Sequence, residues 1–195
     1  MRTILHVGVL IALISLFGCD QNPFRTVKPT ENPVTNFLDS ETGNTISTRT
    51  TGPWELGMVF SSSVNGKITK IGSRMPEPGT YRIIIWDFDS KQALRQKSIS
   101  QTAADKLEMT DVEWLTLTPN KKYVISINSQ GDGINKKYAV VNKTGGVEFL
   151  PFARGSILVY NTCSRNTATP AFPDGTQNVK NELYGFVDFM FEADN

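Results

Sequence analysis

Apolar and polar positions alternate in short segments over the larger, C-terminal part of the chain, from about Trp54 onwards. The segments are rich in Ile, Val, Tyr, Phe, Trp and Thr, and residues typical of turns separate them, as expected for β-strands joined by short loops. One short helix is predicted, over Thr102 to Met109. The predicted strands are Leu56 to Ser62, Lys67 to Arg74, Thr80 to Phe88, Ala93 to Ser100, Val112 to Thr118, Tyr123 to Asn128, Tyr138 to Asn142, Ser156 to Thr162 and Leu183 to Glu192.

These strands predict an all-β fold, a two-sheet antiparallel β-sandwich of jelly-roll type. Tyr81 to Phe88 is apolar on both faces and is predicted to be a central strand, as is Leu183 to Phe191. Tyr123 to Asn128 alternates as a half-exposed strand does. The Asn-Gly pair within Val64 to Lys67 predicts a hairpin turn.

The hydrophobic pattern differs at the N-terminus, where Arg2 precedes an apolar run from Ile4 to Phe17 that ends in Gly18-Cys19. A positive start, a short apolar segment and a small residue before the cleavage point are typical of a secretory signal peptide. The run is shorter than the roughly 20 residues of a membrane-spanning helix. We therefore predict a bacterial lipoprotein signal peptide over residues 1–18 and lipidation of Cys19.

A lipidated Cys19 would tie the mature chain to a membrane through its acyl chains. The predicted location is the cell envelope, on the extracytoplasmic side, periplasmic or at the cell surface. Residues 19–53 are rich in Asn, Thr, Ser and Pro without a sustained apolar period, which predicts a flexible tether. The sequence thus divides into the signal peptide, the lipidated tether and one β-sandwich domain over residues 54–195.

Composition excludes several classes of function. Removal of Arg2 with the signal peptide leaves 19 basic residues against 19 acidic ones, so no basic excess favours nucleic acid as a partner. The single histidine, His6, lies in the segment that is removed. Without histidine, the Ser-His-Asp and Cys-His hydrolases and the usual zinc enzymes are excluded, which leaves carboxylate chemistry, a calcium site or no catalysis.

Cys163 is the second of two cysteines, and lipidation of Cys19 leaves it without an intramolecular partner. It ends the apolar run Ile157 to Tyr160, which favours a buried core position over a reactive thiol or an intermolecular disulfide.

A set of apolar segments stands in a recognisable order along the chain: Glu55 to Phe60, Gly66 to Ile71, Ile85 to Asp87 with Leu94, Trp114 to Leu117, Lys122 to Ser126, Phe172-Pro173 and Tyr184 to Phe191. In this order the segments together resemble a family of bacterial domains of unknown function, numbered 4082. The resemblance implies a β-sandwich similar to carbohydrate-binding modules of secreted proteins, and the family supplies no established catalytic residues.

Three polar segments are candidates for chemistry. Asp87 and Asp89 imitate the Asp-x-Asp nucleophile of phosphatases, but a further strand follows directly, so turn residues are predicted. Asn128 to Asn135 is a turn in which Asp132 is a weak candidate ligand for structural calcium; no other cofactor is expected. The segment between Asn161 and Glu182 is either a functional loop or a packed connection held by Phe172.

Sugar recognition requires an aromatic face for the ring and planar polar groups for the hydroxyls. The predicted function is therefore non-catalytic binding of an extracytoplasmic glycan or envelope protein. The alternatives are a structural or adhesive envelope protein without a small ligand, and a hydrolase that uses two carboxylates. The candidate binding residues are Trp54, Asp132, Asn135, Tyr138, Arg154, Tyr160, Asn161 and Phe172.

Overall fold

The computed structural model describes residues 30–194, and this part of the chain is built from strands apart from one two-turn helix. The elements, in chain order, are α1 (Pro33–Ser40), β1 (Asn44–Arg49), β2 (Trp54–Ser62), β3 (Gly66–Ser73), β4 (Gly79–Asp87), β5 (Ala93–Gln101), β6 (Glu108–Leu117), β7 (Tyr123–Gly131), β8 (Ile134–Asn135), β9 (Tyr138–Lys143), β10 (Phe152–Arg154), β11 (Ile157–Asn166), β12 (Thr176–Val179), β13 (Glu182–Tyr184) and β14 (Val187–Ala193).

The strands form three antiparallel sheets. An eight-stranded sheet has the order β10-β11-β2-β7-β4-β5, with β12 paired to β11 and β8 paired to β7. Two three-stranded sheets, β1-β9-β13 and β14-β3-β6, make up the rest. The all-β antiparallel sandwich predicted from the sequence is confirmed, with two small sheets where one second sheet was expected.

One contiguous core joins the three sheets. Phe60 of β2 packs against Phe189 of β14 with ring centroids 4.6 Å apart, and Val140 of β9 belongs to the same buried cluster. Burial of apolar area of this kind contributes roughly 25 cal/mol per Å² and is the main stabilising term of the fold. β4 is an internal strand with Ile83, Ile84 and Ile85 fully buried, as its apolar pattern predicts.

Residues 31–49 are part of the folded unit, which corrects the tether predicted over residues 19–53 for that described part of it. Pro33 begins α1 at a position where its missing N–H is not needed, and the helix buries Val34 and Phe37. Phe37 stacks on Phe152 with ring centroids 4.3 Å apart. β1 then pairs with β9 along its whole length. The sequence pattern did not predict α1 and β1, because the segment has few apolar residues. A small number of large contacts, such as that of Phe37, hold it to the domain.

A buried carboxylate fastens α1 to the sandwich. Asp188 of β14 is fully buried, and it accepts hydrogen bonds from the backbone N–H groups of Val34 (3.2 Å) and Thr35 (2.8 Å). Free N–H groups in the first turn of a helix require such acceptors, and a negative charge there is favourable. Glu31 adds a two-bond antiparallel bridge to Phe191, 2.9 Å in each direction. The folded domain therefore includes the chain from Glu31 onwards.

Burial raises the pKa of Asp188 to about 6, although backbone N–H groups that donate to its carboxylate lower it in part. The folded chain then binds a proton more tightly than the unfolded chain, so the contribution of Asp188 to stability grows as pH falls from about 7 to about 4. D188N removes this dependence. We expect the difference in unfolding free energy between wild type and D188N to change by on the order of 3 kcal/mol over this range. Urea titrations at several pH values test it, and a constant difference would contradict it.

Three strand predictions need correction. The Asn-Gly pair at Asn65-Gly66 does not close a hairpin, because β2 and β3 belong to different sheets and the chain crosses between layers there. The strand predicted over Leu183 to Glu192 is two strands, since Gly185 and Phe186 adopt positive φ and form a turn. Of these, β14 borders its sheet and is not central.

β7 is buried on both faces, where a half-exposed strand was predicted. Its inner face supplies Ile125 to the main core, while Val124 faces a second cluster on the outer side of the eight-stranded sheet. Phe172 covers this cluster from the connection between β11 and β12, with its ring centroid 5.9 Å from that of Trp86. The long segment after Asn161 is therefore part strand, in β11 and β12, and part packed connection, in which Phe172 fills the space over the second cluster.

No helix forms over Thr102 to Met109, because the backbone there bonds to other elements. The N–H of Asp105 donates to the carbonyl of Met75 (2.9 Å), and Asp105 itself has a positive φ.

The strands predicted around Thr80 and Ala93 are confirmed as β4 and β5. The carboxylate of Asp87 holds the turn between them by accepting hydrogen bonds from the N–H groups of Asp89 and Ser90. Within residues 30–194, no helix is long and apolar enough to cross a membrane.

Candidate functional site

The candidate site is a cleft of about 160 Å³ at which the ends of four strands meet, and we call it the aromatic cleft. Arg49 ends β1, Trp54 begins β2, Tyr138 begins β9 and Tyr184 ends β13. Arg49 and Tyr138 are register partners in the β1–β9 pair. The full lining of this aromatic cleft is Arg49, Trp54, Leu56, Tyr138, Ser164, Thr176 and Tyr184.

Hydrogen bonds fix two of the aromatic rings. The indole N–H of Trp54 donates to the hydroxyl of Thr51 (3.1 Å), and the same hydroxyl lies 3.1 Å from the phenol oxygen of Tyr138. The backbone N–H of Trp54 donates to the hydroxyl of Ser129 (2.9 Å). Tyr138 is buried, whereas Trp54 is half-buried, so Trp54 supplies the more accessible ring.

A planar ion pair forms the polar side of the aromatic cleft. The guanidinium of Arg49 donates to both carboxylate oxygens of Glu182, at 3.2 and 2.6 Å, and lies 6.0 Å from the ring centre of Tyr184. The hydrogen bond to Glu182 raises the pKa of Arg49, and burial raises the pKa of Tyr184. Both groups therefore keep their protons at neutral pH, and the guanidinium has further N–H groups that can donate to a polar ligand.

A second, smaller cleft of about 70 Å³ lies on the outer face of the eight-stranded sheet, and we call it the lysine cleft. Cys163 contributes to its floor, is buried, and has a pKa that burial raises, so its thiol stays protonated. The buried position predicted for Cys163 is confirmed. The lining of the lysine cleft is Val59, Phe88, Lys122, Val124, Asn161, Cys163, Phe172, Pro173, Gln177 and Asn178.

A third groove, of about 330 Å³, is lined mostly by polar residues, namely Thr80, Arg82, Ser98, Asn128, Gln130 and Asp132, together with Gly133. Asp132 and Gly133 both have positive φ and form the two-residue turn between β7 and β8. The carboxylate of Asp132 accepts from the N–H of Thr80 at 3.3 Å. Among residues 30–194, no three His, Cys, Asp or Glu side chains lie together in a way that would hold a metal ion.

The eight candidate binding residues do not form one site. Trp54 and Tyr138 share the aromatic cleft, whereas Asn161 and Phe172 line the lysine cleft. Asp132 lines the polar groove. The three remaining candidates, Asn135, Arg154 and Tyr160, are not among the lining residues of any of these clefts. Cys19 lies outside the described residues.

Tyr160 lies beside the lysine cleft, with the ammonium of Lys122 4.7 Å from its ring centre. Asn135 accepts a hydrogen bond from the side chain of Gln130 at 3.3 Å near the polar groove. Arg154 lies elsewhere, 5.5 Å from the ring centre of Phe37 and paired with Glu41 at 2.5 Å. Arg154 thus helps to hold α1 in place.

Arg49 and Tyr184 belong to the aromatic cleft but are not among the predicted binding residues. Arg49 falls in the segment predicted as a tether, and Tyr184 falls in a strand predicted to continue without a turn. The β-branched residues Thr45, Ile46 and Thr48 before Arg49 were the available signal for a strand.

Fold and clefts define this chain as an antiparallel β-sandwich with an aromatic cleft at the junction of two sheets. No family model matches the chain, and no curated protein is similar enough to match it. The resemblance to family 4082 stays a prediction.

Proposed function

We propose that this protein is a lipid-anchored protein of the bacterial cell envelope whose β-sandwich domain binds a glycan in the aromatic cleft without catalysis. The observation that carries the proposal is that the rings of Trp54 and Tyr184 lie in one cleft with Arg49, which is paired with Glu182. An aromatic face takes the apolar side of a sugar ring, and a planar ion pair bonds its hydroxyls. A cavity of about 150 Å³ holds one six-membered ring, and the aromatic cleft has about 160 Å³.

The absence of catalysis is part of the proposal. Among the described residues, Glu182 is the one carboxylate that we place at the aromatic cleft, and it is paired with Arg49, whereas glycosidases use two carboxylates across the scissile bond. The mature chain also has no histidine to act as a general base. The envelope location rests on the predicted signal peptide and on Cys19.

The test is a glycan array probed with the mature chain carrying Cys19→Ser, followed by titration of each bound glycan. We expect W54A to weaken binding by about fivefold or more, because a stacking ring is worth about 1 kcal/mol or more. W54F retains a ring and should retain most of the affinity. The matched control is W114A, which removes a tryptophan that is 64% exposed on β6, outside the aromatic cleft.

Two results would contradict the proposal: no glycan binds, or W114A weakens binding as much as W54A does. Thermal unfolding of each variant separates loss of binding from loss of fold.

A second candidate function, structural or adhesive, is favoured by the open edge of β1. This strand pairs only with β9 among the described strands, its residues are almost all exposed, and Ile46 is 52% exposed. An exposed edge is a template for pairing with another chain. Self-association at micromolar concentration in sedimentation, together with no glycan binding, would favour this alternative.

A further inference from the structure

Lys122 presents a positive charge that no acidic side chain within residues 30–194 neutralises. Its ammonium lies 4.7 Å from the ring centre of Tyr160 and 5.6 Å from that of Phe88. The ammonium makes no hydrogen bond or ion pair with a residue in this range, whereas the backbone carbonyl of Lys122 accepts a hydrogen bond from the N–H of Phe88. Its neighbour Lys121, by contrast, pairs with Asp87 at 2.5 Å. The two rings hold the ammonium in position without cancelling its charge.

The rings that hold Lys122 are themselves fixed. The hydroxyl of Tyr160 lies 2.9 Å from that of Ser61, and Phe88 contacts Phe172 edge to face with ring centroids 6.3 Å apart. The ammonium is therefore positioned in advance over the lysine cleft, which lowers the entropy cost of binding an anion there.

The lysine cleft combines this charge with amide donors and an apolar floor. Asn161, Gln177 and Asn178 contribute amide groups, and the amides of Gln177 and Asn178 have no hydrogen-bond partner among the described residues. Val59 and Val124 contribute the apolar floor. None of the described residues that line the cleft is a carboxylate, and Asp174 beside it is paired with Lys91 (2.7 Å) and Arg165 (2.8 Å).

We infer that the lysine cleft is a second binding site, specific for a small carboxylate with a short apolar group. Lys122 and the amides would bond the carboxylate oxygens, and the floor would contact the methyl or methylene carbons. The cleft has about 70 Å³, roughly half the size of a cavity that holds benzene, which limits the ligand to about two or three carbon atoms.

Such a group occurs as a free short-chain acid or as the carboxylate of a larger molecule such as an acidic sugar. Both present the same chemistry to Lys122. The size of the cleft allows only the carboxylate end of the larger molecule to enter.

NMR titration of the mature chain carrying Cys19→Ser tests the inference, with the side-chain amide signals of Asn161, Gln177 and Asn178 as the readout. Propionate should shift these signals saturably, and its uncharged isostere propionamide should bind at least about tenfold more weakly. Titration with glucuronate and with glucose tests the acidic-sugar source. Saturable shifts with glucuronate and none with glucose would place the carboxylate of a sugar in the cleft.

K122M keeps the aliphatic stem of the side chain and removes the charge, and it should weaken propionate binding by at least about tenfold. K106M is the matched control, because it removes one lysine charge outside the cleft and should leave binding unchanged. Unfolding temperatures of both variants show whether the fold is intact.

The inference is overturned if neither propionate nor glucuronate binds, if propionamide binds as well as propionate, or if K122M binds as tightly as K106M. The result is independent of the aromatic cleft, since W54A should leave propionate binding unchanged.

Discussion

Replacing Arg82 with methionine is expected to lower the free energy of unfolding by about 3–5 kcal/mol, because it leaves a buried carboxylate without its counter-charge. Glu55 is completely buried in β2, and its carboxylate lies 2.9 Å from the guanidinium of Arg82. Ser126 and Asn128 also donate to this carboxylate, at 2.6 and 3.0 Å, but they are uncharged. They satisfy its hydrogen bonds and do not neutralise it.

Urea unfolding of R82M and of the double variant E55Q/R82M measures the effect. The double variant should recover more than half of the loss, since the glutamine amide carries no charge. K70M is the comparison, because Lys70 and Asp111 are exposed and 3.5 Å apart. Removal of an exposed pair should cost at most about 1 kcal/mol. A loss from R82M no larger than that from K70M would show that the buried pair does not stabilise the fold.

Phe37→Ala is expected to destabilise the protein by about 3–4 kcal/mol, the usual cost of removing a buried phenylalanine. Phe37 is 1% exposed and stacks between Phe149 and Phe152, with ring centroids 5.1 and 4.3 Å away. The substitution removes the one aromatic side chain by which α1 enters the core. It therefore tests whether the segment before β1 belongs to the domain.

Urea unfolding again provides the measurement, with N36A as the matched control on the exposed face of the same helix. N36A should change the unfolding free energy by less than about 0.5 kcal/mol. If F37A had an effect as small as N36A, the segment would behave as a tether after all.

The hydrophobic pattern was sufficient for most strands because the eight-stranded sheet is apolar on its inner face and partly apolar on its outer face. β4 contains three consecutive isoleucines, and this apolar run correctly predicts a strand that is buried on both faces. The pattern failed where a segment is held by a few contacts across long distances in the chain. α1 depends on Asp188 and Phe152, which lie more than one hundred residues away from it.

The candidate site was less predictable than the strands, because its residues are far apart in the sequence and only the pairing of the strands brings them together. Arg49 meets Tyr138 through the β1–β9 register, and Tyr184 reaches them only because the chain turns at Gly185. Residue type identified Trp54 and Tyr138 as candidates but could not show which of the eight residues share a cleft. Glu55 and Arg82 were missed for a similar reason, since β7 lies between their strands.

If the chain is anchored through Cys19, as proposed, the contacts that hold residues 31–43 to the domain have a mechanical consequence. Tension from the anchor would enter the domain at Glu31, where two backbone hydrogen bonds to Phe191 and the carboxylate of Asp188 bear the load before any sheet does. These few bonds would yield first, and unfolding residues 31–43, which precede β1, would lengthen the connection to the anchor by roughly 40 Å at about 3.3 Å per residue. The segment before β1 would thus unfold before the sheets do, and the sheets and their clefts would stay intact at low force.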